Sequence, residues 1–245
     1  MKMKLKFFKL ANKLFERYYF IYKPLYFFYK NISDRQKIAL FKKNIKQGMR
    51  VLDLGANIGF YTVLFSKLVG ENGKVFAFEP DAKNYKHLEE SAKKLYNAVV
   101  EKKAVSDKTG KINFYISKDL NVDHHSYDIG EGREYEEVDA IALDDYFLDN
   151  IKIDFIKIDF IKIDIQGYEP VALKGMSKIM RQPGRMIVFG ELWPYGLQKA
   201  GSSAEEYLQF LKSHGFKIKF FEGEIDYNEK AKDKNFYTDF IANKD

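Results

Sequence analysis

The stretch that decides the fold of this 245-residue chain is VLDLGANIGFYT, residues 51–62. An apolar strand pattern leads into a turn that contains Gly55 and Gly59, and a helical pattern begins immediately afterwards. Asp53 stands at the carboxyl end of the predicted strand. Glycines in a strand–turn–helix unit let the backbone approach a ligand closely, and the amino end of the helix favours a negative group there. The segment therefore predicts a ligand-binding βα turn.

The spacing of the glycines separates two classes of cofactor. A dinucleotide-binding turn has three glycines in the pattern G-x-G-x-x-G, whereas this turn has G-x-x-x-G. That spacing matches NAD poorly. It suits S-adenosylmethionine (SAM), whose anionic part is a small carboxylate rather than a pyrophosphate. For the turn taken alone, a tight turn without any ligand is the alternative.

A second predicted strand ends in FAFEP, residues 76–80, and contributes an acidic side chain. Glu79 follows Gly55 by 24 residues, about the offset at which an acidic residue accepts hydrogen bonds from ribose hydroxyls in such folds. Pro80 fits the start of a helix, so a solvated carboxylate before a helix is the alternative. Together, the glycine turn and Glu79 favour the binding of a nucleoside.

Strand and helix patterns alternate along the rest of the chain. Strands are predicted at residues 50–54, 74–79, 98–103, 111–117, around 151–165, and at 185–191, 216–222 and 235–241. Helices are predicted from residue 59, over 81–96, near 170–181 and over 204–214. This alternation predicts a doubly wound α/β fold with a mainly parallel sheet covered on both faces. The last two strands predict a hairpin that places one antiparallel strand in the sheet.

The beginning of the chain differs from the rest in charge. Residues 1–50 hold 14 Lys and Arg against 2 Asp and Glu, whereas the remaining residues hold 27 against 33. We therefore divide the chain into a basic, aromatic helical arm, residues 1–47, and a domain, residues 48–245. Two interpretations of the arm are open: packing on the domain or a partner subunit, and peripheral contact of residues 1–30 with an anionic membrane.

Two helices are predicted within the arm. The first covers residues 5–22 and ends at Pro24, and the second runs from Ser33, with Gln36 completing a capping box, to Gly48. Charged residues interrupt the apolar runs. They exclude a cleavable signal peptide and a helix that spans a bilayer.

Several motifs together, in this order, resemble the FkbM family of methyltransferases. The matching strings are LDLGANIGFYT, FAFEP, KAVSDKTG at 103–110, LDDYF at 143–147, and FIKIDIQGYE followed by LKGM at 160–176. The resemblance runs from about Gly48 to the C-terminus. It implies a Rossmann-like class I methyltransferase fold, a seven-stranded sheet with one antiparallel strand near an edge. It also implies SAM as methyl donor and a hydroxyl acceptor on a sugar or natural product.

The resemblance also implies roles for the residues at matching positions. The methionine end of the donor is expected at Asp53, Gly55, Ala56, Asn57 and Gly59, the ribose at Glu79 and Pro80, and the adenine at Ala104, Val105 and Ser106. Asp164, Gln166 and Glu169 fall where such enzymes meet the methyl group and the acceptor, with Asp164 also touching the donor. No metal site is assigned.

Methylation of a hydroxyl group requires a base, since the hydroxyl loses its proton. The candidates are Asp164, Glu169, Glu191 and the His124–His125 pair, of which His125 is preferred. Asp164 and Glu191 end predicted strands, where ligands bind in open α/β sheets. Helix capping or loop hydrogen bonding is the alternative for each carboxylate. For the histidines, which stand in a polar loop that could cover the site as a lid, the alternative is simple solvation.

Residues 151–165 read IKIDF-IKIDF-IKIDI, one copy more than the resemblance leads us to expect. Side chains of a strand alternate with a period of two, so a five-residue repeat exchanges the two faces with every copy. A single strand of this length would also exceed the usual five or six residues. We expect the last copy, which runs into QGYE, to be the functional strand. Residues 151–155 or 156–160 should then be displaced from the sheet or start beyond its edge.

The sequence therefore predicts a cytoplasmic O-methyltransferase that acts on a sugar, a glycan or a small metabolite. The alternative is a non-catalytic module, docked on a membrane or a partner, on a methyltransferase fold. The chain has no cysteine, which excludes a disulfide framework, a thiolate zinc site and a cysteine nucleophile. The acidic domain argues against nucleic acid as a partner. The identity of the acceptor and the oligomeric state are left open.

Overall fold

The computed structural model describes residues 14–117, 124–149, 156–223 and 225–245. The strands are β1 (Arg50–Leu54), β2 (Lys74–Phe78), β3 (Ala98–Glu101), β4 (Ala104–Val105), β5 (Gly110–Tyr115), β6 (Tyr135–Ile141), β7 (Phe160–Ile163), β8 (Met186–Leu192), β9 (Lys217–Phe220) and β10 (Thr238–Lys244). The helices are α1 (Tyr19–Ser33), α2 (Arg35–Asn44), α3 (Phe60–Val69), α4 (Ala82–Ala92), α5 (Leu143–Asp149), α6 (Glu169–Lys174), α7 (Ser177–Met180), α8 (Pro194–Lys199), α9 (Ala204–Ser213) and α10 (Tyr227–Lys230).

A seven-stranded sheet of order β3-β2-β1-β7-β8-β10-β9 forms the centre of the molecule. The strands from β3 to β8 in this order pair in parallel, and β10 runs antiparallel to both of its neighbours. Helices pack on both faces, because the strands between them are apolar on both sides. The predicted doubly wound α/β fold, with one antiparallel strand near an edge, is confirmed.

The arm contributes to the hydrophobic core on one face of this sheet. Phe41 of α2 is completely buried. Its ring lies 5.1 Å from Phe65 of α3, 5.8 Å from Phe160 of β7 and 4.8 Å from Phe189 of β8, measured between centroids. Edge-to-face contacts of this kind add to the area that aromatic rings bury. Helix α2 is therefore part of the packed domain.

The predicted helix ends in the arm are wrong. Pro24 lies inside α1 rather than at its end. The loss of one backbone hydrogen bond at a proline is outweighed here by aromatic contacts on both sides of it, Tyr22 with Phe15 at 5.3 Å and Phe27 with Phe60 at 5.2 Å.

The second helix of the arm begins at Arg35 and ends at Asn44. The predicted capping box at Ser33 does not form, because Ser33 is the last residue of α1, and its hydroxyl donates to the carboxylate of Asp34 over 2.8 Å. Asp34 takes the position before the second helix, although its side chain does not cap it either. The side chain of Asp34 is bound instead to Ser33, Tyr61 and Lys30.

A three-stranded sheet of order β4-β6-β5 lies beside the central one. The strand predicted at 111–117 pairs here, as β5, with β6. Strand β6 was not predicted. Its sequence, YEEVDAI, is mostly exposed in its first half and lacks the apolar run that marks a buried strand.

The last copy of the repeat supplies most of the central strand, as predicted, but Phe160 of the second copy also belongs to it and pairs with Val51 and Ile187. Strand β7 consists of Phe160 and the first three residues of the last copy. Asp159, just before it, already bonds to both neighbouring strands, through its N–H to the carbonyl of Arg50 and through its carbonyl to the N–H of Ile187, each over 3.0 Å. The second copy is nevertheless packed, because Ile158 is completely buried and the side chain of Gln182 bonds to the N–H of Ile158 and the carbonyl of Ile156, each over 2.9 Å. The first copy, residues 151–155, lies outside the described residues.

Candidate active site

The turn after β1 contains three residues in the left-handed conformation, Gly55 (φ +77°), Asn57 (φ +50°) and Gly59 (φ +88°). A Cβ atom on Gly55 would stand 2.0 Å from the carbonyl oxygen of Asp164, so no other residue fits at this position. Asn57 tolerates the conformation because its short side chain bonds locally, here accepting from the N–H of Ile58 over 2.8 Å. The glycine turn therefore lies directly against the end of β7.

Asp53 and Lys162 are neighbours in register on β1 and β7, below that turn. Asp53 is completely buried, accepts a hydrogen bond from the Thr62 hydroxyl over 2.7 Å, and has its Oδ1 3.3 Å from the Lys162 Nζ. Lys162 also donates to the carbonyl of Gly55 over 2.8 Å and lies 3.8 Å from the carboxylate of Asp164. Asp53 thus holds the turn in place through Lys162. Its direct contact with the methionine end of the donor stays a prediction.

Glu79 directly follows β2 and is buried. Its carboxylate accepts hydrogen bonds from the backbone N–H of Asn57 over 2.8 Å and from that of Asp81 over 3.0 Å. Burial raises the pKa of Glu79 to about 7, although the two hydrogen bonds favour the ionised form and so lower this pKa. Glu79 therefore ties the β1 turn to the end of β2. The carboxylate has further lone pairs that ribose hydroxyls can use.

The segment predicted to lie by the adenine, Ala104, Val105 and Ser106, is buried on and just after β4. The Ser106 hydroxyl lies 3.3 Å from the hydroxyl of Tyr168, in the loop that follows β7. The segment is therefore brought to the loop that also carries Asp164. Its contact with adenine stays a prediction.

Asp164 and Glu191 lie next to each other at the carboxyl ends of β7 and β8. Ile163, the last residue of β7, pairs with Gly190 of β8, and Asp164 and Glu191 are the next residues on the two chains. Asp239 of β10 pairs in register with Glu191 and accepts a hydrogen bond of 2.8 Å from Lys37 of α2. Three carboxyl groups from neighbouring strands and one lysine of the arm thus share this edge.

The two central carboxyl groups have pKa values shifted in opposite directions. Burial alone would raise the pKa of Asp164, but the ammonium groups of Lys162, Lys37 and Lys30 outweigh it and hold this pKa below its ordinary value. Burial first, and then the negative charge of Asp164, raise the pKa of Glu191 well above its ordinary value. A pair of groups with pKa values pushed apart is a usual arrangement of acid and base in enzymes.

Glu169 binds to its own loop. Its Oε1 accepts hydrogen bonds from the N–H of Ile165 over 3.1 Å and of Gly167 over 3.2 Å, in a loop where Gln166 and Gly167 have positive φ. Burial raises the pKa of Glu169 to about 7. This geometry favours the loop hydrogen-bonding interpretation. A role as base stays a prediction.

The histidines of the predicted lid are packed rather than solvated. The His125 ring is completely buried and stacks on Trp193, with centroids 5.7 Å apart, and the His124 side chain is only 10% exposed. His125 Nδ1 lies 3.3 Å from the carbonyl oxygen of Gln166, to which the Tyr127 hydroxyl donates over 2.7 Å. The solvated interpretation is wrong for this pair, because His124 is largely buried and His125 packs, together with Tyr127, on the loop after β7. Catalysis by His125 stays a prediction.

The junction of α1 and α2 adds groups that the sequence did not reveal. Asp34, between the two helices, pairs with Lys30 and accepts a hydrogen bond from the Tyr61 hydroxyl. Lys162 lies 5.6 Å from the centroid of the Tyr61 ring. Together with Lys37, these residues make the arm a part of the charged surroundings of Asp164.

With this geometry in view, comparison with known proteins identifies the family. The family profile described as the methyltransferase FkbM domain matches residues 53–218. The chain belongs to the FkbM methyltransferase family. The sequence resemblance is thereby confirmed.

Two solved structures share the fold of this FkbM-family protein. A candidate rRNA methylase from Clostridium thermocellum has a TM-score of 0.50 at 16% identity and covers 85% of this chain and 95% of its own. A candidate methyltransferase from Streptococcus mutans, solved with S-adenosylhomocysteine (SAH), has a TM-score of 0.52 at 11% identity. The match covers 86% of this chain and 96% of that protein. At these identities the likeness shows the fold, which is that of the class I methyltransferases.

One curated relative matches a shorter part of this FkbM-family protein. Protein-L-isoaspartate O-methyltransferase 1 of Arabidopsis thaliana is 39% identical over 59 residues, which is 22% of this chain and 26% of the relative. The match therefore spans about a quarter of the relative's length.

SAM is the methyl donor of this FkbM-family protein, and the residues present fit it. Glu79 offers a buried carboxylate at the end of β2, where ribose hydroxyls need acceptors. The glycine turn brings backbone close to the same point, as a small carboxylate requires. The donor therefore fits the end of the sheet formed by β1 and β2.

The affinity for SAH is expected to rise with pH because of Glu79. With a pKa of about 7, Glu79 is ionised in roughly a tenth of the molecules at pH 6 and in about nine tenths at pH 8. Ribose hydroxyls donate to the ionised form, so the Kd of SAH should fall about tenfold over this range, as measured by titration calorimetry. Glu79→Gln should bind roughly 10- to 150-fold more weakly at pH 8 and lose the trend. An unchanged trend in this variant would assign the titration to another group.

Proposed function

We propose that this FkbM-family protein is an O-methyltransferase that methylates a hydroxyl group of a sugar, a glycan or a small metabolite. The observation that carries the proposal is the Asp164–Glu191 pair at the carboxyl ends of β7 and β8. A hydroxyl must lose its proton when its oxygen takes a methyl group, so the site needs a base. Glu191, whose pKa is raised next to the low-pKa Asp164, has the properties of that base.

The proposal gives each residue a distinct task. When bound, SAM would supply a methyl group that is bonded to a sulfonium sulfur. The nucleophile attacks the methyl carbon from the side opposite this sulfur, which is the leaving group. Glu191 accepts the proton of the acceptor hydroxyl, and the negative charge of Asp164 makes Glu191 more basic. Lys37, bound to Asp239 beside them, limits the repulsion among the carboxylates. Glu79 and the glycine turn hold the donor at the other end of the site.

The matched relative also supports transfer to oxygen. The protein from Arabidopsis thaliana is an O-methyltransferase by name, although the match covers only 22% of this chain. A protein that binds SAM and transfers nothing, a non-catalytic module, is the competing function that an experiment must separate.

Two measurements test the proposal. SAH should raise the melting temperature of the protein, whereas NAD should not. A ligand that binds only the folded state adds about 2.7 kcal/mol to the free energy of unfolding at a concentration of 100 Kd. Methyl-labelled SAM, incubated with the protein and a cell extract, should then label a product whose methyl group is attached to oxygen, as mass spectrometry and NMR determine. Binding without labelled product favours the non-catalytic module. A methyl group on nitrogen or carbon contradicts the oxygen assignment.

A further inference from the structure

Helix α1 carries an apolar face on its outer side. This face, here named the α1 stripe, consists of Phe20, Ile21, Leu25, Phe28, Tyr29 and Ile32, all exposed. Phe20 is 76% and Phe28 68% exposed. Residues spaced three and four apart form one continuous row along a helix. A contiguous exposed apolar surface of this kind marks a site of interaction.

The opposite side of α1 is already used to attach the helix to the domain. Tyr22 is buried, and Phe27 packs against Phe60 at 5.2 Å. The two lysines of α1 also lie on the inner side, since Lys23 stands 5.7 Å from the Phe27 ring and Lys30 pairs with Asp34. Every charged side chain of α1 is therefore at least half-buried, which leaves the outer side without charge, and the exposed polar residues of the helix are Asn31 and Ser33.

Basic side chains flank the α1 stripe. Arg17 precedes α1, Arg35 follows it, and Lys42 and Lys43 are exposed on α2. Glu16, which lies 3.9 Å from Lys83, is an acidic neighbour at the first flank, and Glu90 of α4 is another, close to Lys23 of α1. An apolar row between cationic side chains matches the hydrocarbon boundary and the headgroups of an anionic bilayer.

We propose that the α1 stripe docks this protein on the surface of an anionic lipid bilayer, with α1 lying in the plane of the membrane. The helix has 15 residues, so it is about 22 Å long, shorter than the roughly 30 Å hydrocarbon core of a bilayer. Among the described residues, no helix meets the length and hydropathy that crossing a membrane requires. The stripe therefore enters the interface without spanning it.

The basic residues around the α1 stripe favour a lipid surface over a second copy of the chain as its binding partner. A two-fold symmetric dimer through the α1 stripe would bring the same basic flanks of two copies together. Residues 1–50 hold 14 Lys and Arg against 2 Asp and Glu, so such a pairing is repulsive. The same charges attract the protein to an anionic bilayer.

Vesicle co-sedimentation tests the proposal with the full chain. The protein should bind vesicles of equal parts phosphatidylglycerol and phosphatidylcholine. Binding should be weak to phosphatidylcholine alone, and should weaken as salt rises from about 0.05 M to about 0.5 M. The variant Phe20→Ser/Phe28→Ser should bind the anionic vesicles at least about tenfold more weakly. The matched variant Tyr96→Ser/Tyr237→Ser, which removes two other exposed aromatic rings, should bind like the parent.

Every other outcome overturns the proposal. If Phe20→Ser/Phe28→Ser binds vesicles as the parent does, the α1 stripe is not the docking surface. If the parent ignores vesicles but sediments as a dimer that this variant dissociates, a second copy covers the stripe. If the parent ignores vesicles and the variant has a lower melting temperature, another segment of the same chain covers it.

Discussion

Replacing Lys162 with methionine is expected to lower the free energy of unfolding by about 3–5 kcal/mol, the usual cost of leaving a buried charge without its partner. The Lys162 side chain is 3% exposed, and its Nζ lies 3.3 Å from the Oδ1 of Asp53, which is completely buried. Methionine has a similar length and no charge, so Asp53 would keep only the hydrogen bond from Thr62. Urea denaturation followed by circular dichroism measures the change.

The repeat provides a matched control for this variant. Lys157 holds the same place in the preceding copy, but its side chain is 49% exposed, beside Asp159 at 3.6 Å. Lys157→Met should therefore change the free energy of unfolding by less than about 1 kcal/mol. Adding Asp53→Asn to Lys162→Met should restore part of the loss, since no unpaired charge remains. Equal stability of the two single variants would show that the Lys162–Asp53 pair does not stabilise the fold.

Replacing Glu191 with glutamine is expected to lower the rate of methyl transfer about 100- to 10,000-fold, the usual contribution of a general base. Glutamine keeps the shape of the side chain but accepts no proton at neutral pH. The affinity for SAH should stay within about twofold of the parent, because Glu191 lies on β8 and not at the β1 and β2 end of the sheet. Transfer of labelled methyl groups measures the rate, with Glu205→Gln on the exposed side of α9 as control.

The pH dependence of the same rate separates the roles of Glu191 and Asp164. The rate of the parent should rise with pH as Glu191 loses its proton, at a pH above the usual range of a carboxyl group, because its pKa is raised. Asp164→Asn removes a negative charge that raises this pKa, so the rise should move to lower pH. A rise that stays in place in Asp164→Asn would mean that Asp164 does not act through Glu191.

The parts of the fold that the sequence predicted well depend on local patterns. The glycine turn, the strand before it and Glu79 at the end of β2 lie within 30 residues of one another, and each has its own signature. A strand–turn–helix unit is decided by its own glycines and apolar residues, so it can be recognised without knowledge of the rest of the chain. The mainly parallel pairing of the strands followed from the alternation of strand and helix, and the antiparallel β10 from the final hairpin.

The residues that the sequence did not reveal depend on partners far along the chain. Lys37 bonds to Asp239, which lies 202 residues away, and Lys162 pairs with Asp53 on another strand. No short pattern marks such pairs. A lysine in the middle of the apolar run FIKI was the one available signal, because a buried lysine in a strand requires an acidic partner. Tertiary packing likewise overrode the local helix-ending tendency of Pro24.

The repeat gives the chain two identical segments that could form the strand between β1 and β8. Residues 155–159 and 160–164 both read FIKID, and residues 151–154 match 156–159. A form of the protein slipped by five residues would place identical side chains between β1 and β8, so the strand itself cannot discriminate. Only the segment after it can, through contacts such as those of Glu169 with Ile165 and Gly167, worth about 1–3 kcal/mol. The register of this strand thus depends on the loop that follows it, and we expect a change that loosens this loop to populate a folded form slipped by five residues.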